Sequence, residues 1–525
     1  MGFNINRDYQ RINVIGEKMA IQYSILPNLY QDSVSLMQIS AKLLQIEGIT
    51  QASVVMGTPA NLARLLEAEF PPINAKPNDL IIAVKGRKEE CEKAINFAKQ
   101  SFFSCSEQTT TNSEKTQIVS LSNAVEKNTA LNLALISVPG EYAAAEAIKA
   151  LNTGLNVMLF SDNVSLQEEK QIKRLAQQKD KLVMGPDCGT AIINGIPLGF
   201  ANIVRKGHIG IVAASGTGLQ EVTCGIDKLG EGISQAIGTG GQDLHQEIGG
   251  LSMQYAMNLL ARDSHTEVIV LISKPPASDI ANVIKKQAEQ INKPVVIHFL
   301  GQSPDANSGS NLYYAETLAH TAEVAVALLR KQRIPSYIPP SFPTYQYSLK
   351  REQKYLRGVF SGGTFCFEAQ QILHKAGLPL YSNTPIDEAT MLKEINRSTQ
   401  HTLLDLGDDF FTQGKPHPMI DPTLRNQRLL QEGMDPEVAV LLFDLILGYG
   451  SNLNPMETLL PILQKIRQQN SPPYLIAHIC GTAQDVQDKF LIQKQLQDMG
   501  VLIANNNAES AYMALEILQR RNINE

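Results

Sequence analysis

At 525 residues the chain is too long for one hydrophobic core, so two to four domains are expected. Its 43% apolar and 19% charged composition excludes a disordered chain, and a net charge of −6 with no Trp argues against nucleic-acid binding. No apolar run approaches the ~20 residues that span a bilayer, residues 1–20 lack the apolar stretch of a secretory signal, and six scattered cysteines show neither CxxC nor metal-ligand spacing, which together imply a cytoplasmic protein without zinc or disulfides.

The apolar pattern predicts strand 20–26, helix 32–46, strand 52–56, helix 59–68, strand 79–84 and helix 87–103. Residues 104–127 are polar and without period, and read as a linker. A second run follows, with strands near 131–137, 155–159 and 181–184 and helices from Glu141 and over 165–178. A third begins with strand 209–214 and continues through strands 267–272 and 294–299 to a helix near 315–330. Pro335, Pro339, Pro340 and Pro343 then exclude regular structure. Beyond them come strands 356–360, 402–406, 438–443, 474–479 and 500–504, with a helix over 365–375. Alternating β and α throughout predicts an α/β fold of several doubly wound, wholly parallel sheets. The expected units are 1–127, 128–205, 206–330, a Pro-rich linker 331–353, and 354–525.

In such sheets ligands sit beyond the carboxyl ends of the strands, so the strand-to-helix turns are the places to search. Strand 209–214 runs straight into Ser215-Gly216-Thr217-Gly218 and a helical pattern. Glycine permits close backbone approach, and the first N–H groups of a helix lack partners, which makes an anion site. The same residues would serve equally as an ordinary Ser N-cap at a tight turn. Ser361-Gly362-Gly363-Thr364 and Gly448-Tyr449-Gly450-Ser451 are turns of the same kind in the last unit. Three such turns suggest two helix starts facing one shared anion. Gly185-Pro186-Asp187-Cys188-Gly189-Thr190 also follows a strand, and with no His to activate it Cys188 reads as a structural turn cysteine. Gly238-Thr-Gly-Gly241-Gln-Asp243 either lines a phosphate or is a plain flexible loop.

The segment 404–426 is stiffened by Pro416, Pro418 and Pro422 and carries Asp408, Asp409, Lys415, His417, Asp421, Arg425 and Asn426. A rigid loop with mixed charges suits substrate positioning and proton transfer, with His417 and Lys415 as candidate catalytic groups and Arg425 as a bidentate clamp for a carboxylate or phosphate. Alternatively it is a solvated loop in which Asp421 and Arg425 pair across a helix start.

Several of these segments together carry a family resemblance. Gly185-Pro-Asp-Cys-Gly-Thr190, Ile209-Gly-Ile-Val-Ala-Ala-Ser-Gly-Thr-Gly218, Thr266-Glu-Val-Ile-Val-Leu-Ile272 and Lys293-Pro-Val-Val296 resemble, in order, the α subunit of succinyl-CoA synthetase, and 402–510 resembles the C-terminal domain of its β subunit. Over about residues 20–515 the chain is similar to the FdrA family, on segments such as Met56-Gly-Thr-Pro-Ala-Asn61, Gly140-Glu-Tyr-Ala-Ala144, Ser273-Lys-Pro-Pro-Ala277 and Gly414-Lys-Pro-His-Pro-Met-Ile-Asp-Pro-Thr-Leu-Arg-Asn426. The resemblance implies a Rossmann-like, CoA-binding-type domain over 128–205, an α-like ligase domain over 206–330 and a β-like ligase domain over 354–525, without an ATP-grasp domain. It also implies departures from the synthetase. That enzyme's phosphate-carrying loop histidine has no counterpart in 299–310. His298 and His320 fall inside regular elements. The supporting glutamate is absent near Ser273-Lys274-Pro275, and Leu29-Tyr30-Gln31-Asp32 lacks the glycines that seat CoA. By family, such chains act with two partner proteins as oxamate carbamoyltransferase in allantoin catabolism, converting oxalurate and phosphate to oxamate and carbamoyl phosphate. The implied ligands are therefore inorganic phosphate or carbamoyl phosphate and a small carboxylic amide, with CoA as the alternative in an acyl-CoA synthetase. A homo-oligomer within a hetero-complex is the expected assembly.

Overall fold

The computed structural model describes residues 19–29, 31, 33–103, 120–302, 311–342, 348–412 and 416–521. The chain divides into two compact units, Met1–Glu114 and Lys115–Glu525.

The first unit contains β1 (Met19–Leu26), α1 (Ser33–Leu44), β2 (Ile49–Met56), α2 (Pro59–Glu67), β3 (Leu80–Arg87) and α3 (Lys88–Phe103). Its sheet order is β1-β3-β2, and β3 runs antiparallel to both neighbours. The expected parallel pairing is corrected here. β3 is a central strand buried on both faces: Leu80, Ile82 and Val84 enter a core with α1 and α3, while Ile81 and Ala83 join Leu65, Phe70 and Ile73 on the other side. A strand covered on both faces reads as an unbroken apolar run, and such a run resembles a parallel strand in sequence.

In the second unit, α4 (Leu121–Lys127) is a short helix capped by Ser120, whose hydroxyl accepts from Asn123 N–H. It occupies the end of the stretch expected to be linker, the rest of which (104–119) lies outside the described residues. A small parallel sheet follows from β4 (Leu133–Ile136), α5 (Gly140–Asn152), β5 (Asn156–Leu159), α6 (Leu166–Gln178) and β6 (Val183–Met184).

Next come β7 (Thr190–Ile193), β8 (Ile196–Gly199), β9 (Lys206–Ala214), α7 (Gly216–Lys228), β10 (Ile233–Gly238), α8 (Leu251–Arg262), β11 (Val268–Ser273), α9 (Ser278–Glu289), β12 (Val295–Phe299), β13 (Leu312–Tyr314) and α10 (Leu318–Leu329). Their sheet order is β13-β12-β11-β9-β10-β7-β8, parallel from β13 to β10, while β7 runs antiparallel to both β10 and β8, against the expected wholly parallel sheet. Residues 190–199 therefore complete this sheet rather than the small one before it. Pro197 is tolerated because β8 is an edge strand with no neighbour to receive an N–H on its outer side.

No helix or strand lies among the described residues of 331–353. The last sheet is built from β14 (Tyr355–Phe360), α11 (Gly363–Lys375), β15 (Tyr381–Ser382), β16 (Thr402–Asp405), α12 (Asp409–Thr412), α13 (Thr423–Gly433), β17 (Val438–Ile446), α14 (Pro455–Arg467), β18 (Tyr474–Cys480), α15 (Lys489–Asp498), β19 (Leu502–Ala504) and α16 (Asn507–Arg521). All its strands are parallel, in the order β15-β16-β14-β17-β18-β19.

The Pro-rich stretch separates two sheets but not two cores. One apolar cluster runs from Ile211 and Val270 through Val222 of α7 and Val324 of α10 to Phe365 of α11, Ala511 of α16, Leu442 and Ile476. Four helices thus form a shared layer between the sheets. That layer brings the start of α7 to the start of α11.

Candidate functional site

β9 is buried from Ile209 to Ala214 and ends at Ser215, the N-cap of α7. The Ser215 hydroxyl accepts from Gly218 N–H at 3.0 Å, so the ordinary N-cap is present. It also lies 2.6 Å from the Thr364 hydroxyl in the first turn of α11. A Cβ on Gly362 would stand 3.2 Å from Thr217 Oγ1. The two expected helix starts therefore meet, and the turn opposite Ser215–Gly218 is Ser361–Thr364. Among the described residues, Gly216 and Thr217 N–H have no hydrogen-bond partner, as the first donors of a helix generally do not. Gly216 faces Thr190, whose hydroxyl donates to Phe200 O at 2.7 Å.

The other two glycine turns are already filled. Ser361 and Gly362 N–H each donate to a carboxylate oxygen of Asp444 at 2.8 Å. In the sheet, Asp405 pairs with Phe360 and Phe443 with Val359, so Asp405 and Asp444 flank the end of β14 from both sides. A Cβ on Gly363 would collide with Asp405 Oδ2. The start of α11 is thus furnished with the protein's own carboxylates, which corrects the expected sharing of one anion between two open amide nests. The Gly448–Ser451 turn is occupied as well. Gly448 N–H donates to Gln487 Oε1, Tyr449 N–H to Ala201 O, and Gly450 backs onto Phe200. The Ser451 hydroxyl is buried with no partner among the described residues.

The charged loop also differs from expectation. Arg425, expected as a clamp, is buried, 2% exposed, and donates to Asp444 O and to its neighbour Asn426. Burial pushes its guanidinium down to about 10, while Asp444 opposes that shift. It supports the Asp444 turn from behind and offers nothing to a ligand. Asn426 donates to Thr458 Oγ1, and Asp421 receives Thr423 N–H at the start of α13. Asp408 receives Phe410 N–H as the cap of α12. Lys415 and Gly414 lie outside the described residues.

His417 does reach the cleft. Its ring lies 6.3 Å from that of Phe200, and a Cβ on Gly407 would come within 2.7 Å of its Nε2. Its Nδ1 accepts from Met419 N–H, which leaves the proton on Nε2. Burial holds the imidazole down at about 4. At neutral pH it is therefore an uncharged hydrogen-bond donor.

Two groups stand out in this cleft. Asp187 has positive φ (53°), and its carboxylate reaches solvent while protein surrounds it. Poor hydration pushes it up to about 7, with Asp162 and Asp409 adding to the rise and Lys274 opposing it. In the sequence Lys274 marks only the place of a missing glutamate. Ser273 pairs with Ala214, so Lys274 projects from the strand beside β9 level with Ser215. It is exposed, and its charge acts on Asp187, Asp405 and Asp409. Among the described residues no carboxylate comes within ion-pair distance of its Nζ. Asp405 is pushed up to about 6, chiefly by burial.

The arrangement is a helix start with two free N–H groups and the Thr217 hydroxyl, one free ammonium beside it, and a carboxyl group that titrates near neutrality. These are the parts of an oxyanion site coupled to a proton donor. Thr217→Val is expected to weaken sulfate or phosphate binding by about 0.5–1.5 kcal/mol with an unchanged melting temperature, as read by calorimetric titration.

Comparison with known proteins agrees with this architecture. Residues 359–517 match a family model described as CoA-ligase, residues 204–301 one described as CoA binding domain, and residues 19–119 one described as AllF, heavy metal-associated domain. The CoA binding model thus falls on the segment around β9 and α7, not on 128–205. The uncharacterized protein YahF of Escherichia coli K12 is 40% identical over 95% of this chain and 99% of its own length. This chain belongs to the FdrA family. The α subunit of an ADP-forming succinate–CoA ligase from Aquifex aeolicus is 28% identical over 33% of this chain and 58% of that protein. Among solved structures, a dinucleotide-forming acetyl-coenzyme A synthetase of Ca. Korarchaeum cryptofilum aligns with 14% identity and a TM-score of 0.34, covering 78% of this chain and 88% of that one. FdrA-family chains such as this one are therefore built on the CoA-ligase, succinyl-CoA-synthetase-like plan. No helix of the described residues is long and apolar enough to cross a membrane.

Proposed function

We propose that this chain is a subunit of an oxamate carbamoyltransferase, working with two partner proteins to phosphorolyse oxalurate in allantoin catabolism. The observation that carries the reading is the start of α7. There the N–H groups of Gly216 and Thr217 stand free beside Lys274, while the described strand end that follows Lys293-Pro-Val-Val296 bears no histidine beyond His298. His298 is only 5% exposed within β12 and is bonded through Nδ1 to Ala315 O at 3.0 Å.

Phosphate binds at the α7 start, and the ammonium of Lys274 holds the substrate carboxylate. A phosphate oxygen attacks the carbamoyl carbon. The new C–O bond forms as the carbamoyl C–N bond breaks, and the departing oxamate nitrogen gains a proton. Asp187, about half protonated near pH 7, is the cleft acid suited to supply it. His417 donates a neutral hydrogen bond. The helix start and the Thr217 hydroxyl stabilise the developing charge without reorganisation.

Thioester synthesis is the second reading, favoured by the CoA-ligase and CoA binding models. The chain, alone and in the complex purified from its host, should release oxamate from oxalurate only when phosphate is added. Acyl-CoA formed from ATP, CoA and a short acid, without such phosphorolysis, would establish the second reading instead.

The family model over 19–119 names heavy-metal association, but among the described residues there the donors do not converge on a metal. Cys91 is buried with its thiol directed to Ala20 O, and no group of three His, Cys, Asp or Glu converges there among the described residues.

Protonation should also be linked to anion binding. Asp187 is uncharged below about 7 and negative above it. Sulfate, which does not titrate in this range, should therefore bind more weakly as pH rises through 7, and Asp187→Asn should flatten the profile. An unchanged profile in that variant would remove Asp187 from the site.

A further inference from the structure

We propose that Glu221, Cys224, His478 and Cys480 form a buried site for a soft divalent cation of the zinc class, tying α7 to β18. The four side chains come from two sheets' worth of sequence, and no cysteine spacing announces them. Glu221 and Cys224 lie one turn apart on one face of α7, and His478 and Cys480 are two apart on one face of β18. Ligand atoms of Glu221, His478 and Cys480 all lie within 4.8 Å of one another. Glu221 Oε2 is 2.8 Å from His478 Nε2, and the Cys480 thiol is close enough to Cys224 and Glu221 for both to act on it. All four are buried.

Glu221, His478 and Cys480 supply a carboxylate, an imidazole and a thiol, donor types that hold structural zinc, and Cys224, whose thiol lies outside that 4.8 Å group, would close in as the fourth donor on binding. His478 Nε2 faces Glu221 Oε2, and the ring's other nitrogen, Nδ1, is buried with no hydrogen-bond partner among the described residues. Glu221 Oε1 is anchored by Asn507 N–H, an outer contact that would orient a ligating carboxylate. On binding, the two thiols would release their protons to solvent and the histidine would coordinate as neutral imidazole. The site lies behind the start of α7, so a cation there would fix the helix without touching the anion.

Metal content of the intact, desalted protein tests this. One equivalent of zinc per chain is expected by mass spectrometry, lost in Cys480→Ser and in Glu221→Gln but retained in Cys188→Ser. Cobalt added to chelator-treated wild-type protein should give a thiolate charge-transfer band together with the visible bands of a tetrahedral ion. Folded wild-type protein, with a cooperative melt, that carries no zinc and develops no such band would overturn the proposal. Equal metal content in wild type and Cys480→Ser would overturn it as well.

Discussion

Replacing Asp444 with alanine is expected to lower folding stability by about 3–5 kcal/mol, the cost of breaking a buried charge arrangement from one side. The Asp444 side chain is fully buried, and both carboxylate oxygens are occupied by Ser361 and Gly362 N–H at 2.8 Å. Removal orphans those two donors and leaves the buried Arg425 guanidinium without the negative charge that faces it. A denaturant midpoint well below wild type, with an unchanged slope, is the expected readout. The emptied turn would then be a true amide nest. Sulfate should therefore restore more stability to Asp444→Ala than it adds to the wild type, by mass action at a site the native carboxylate fills. A variant as stable as the parent would mean that solvent already satisfies the turn.

The second large effect concerns Lys274. It is the exposed ammonium level with Ser215, and no ion pair within the described residues neutralises it. If it holds the substrate carboxylate, Lys274→Met should lower kcat/KM for oxalurate roughly 10- to 100-fold, corresponding to about 1.5–3 kcal/mol for a hydrogen bond to a charged group. Sulfate binding at α7 should change far less, because the helix donors remain. Arg425→Lys, by contrast, should alter stability and leave kinetics near wild type. The opposite pattern would return the clamp role to Arg425.

Much of this plan is legible in the sequence because burial writes it there directly. A run such as Ile209–Ala214 followed by Ser-Gly-Thr-Gly can hardly be anything but a buried strand entering a helix, and α7 starts within that turn. The Ser361–Thr364 turn was read the same way, and its approach to Ser215 follows from two sheets sharing one helical layer.

What escaped depends on register and direction. The N-terminal sheet was expected to be parallel because β3 hides both faces, which erases the alternation that marks an antiparallel strand. Asp444 sits within an apolar run, and only the pairing of β14 with β17 reveals that it fills a turn more than eighty residues away in sequence. Arg425 looked like a clamp because sequence shows charge but not depth. Lys274 did have a signal, a basic residue immediately after a fully buried strand, at the place where strand ends collect ligands. The Glu221–Cys224 and His478–Cys480 pairs had none, since each half is an unremarkable fragment of a helix or strand.

The proposed chemistry depends on an oxyanion held at the start of α7. Selenate soaked into crystals of the protein reports this directly, because its anomalous signal marks the anion without dependence on catalysis. A peak within hydrogen-bond distance of Gly216 and Thr217 N–H, with Lys274 beside it and Asp444 still seated in the Ser361–Gly362 turn, is the predicted result. A peak at the Gly448–Ser451 turn, or saturating selenate with none at α7, would contradict it.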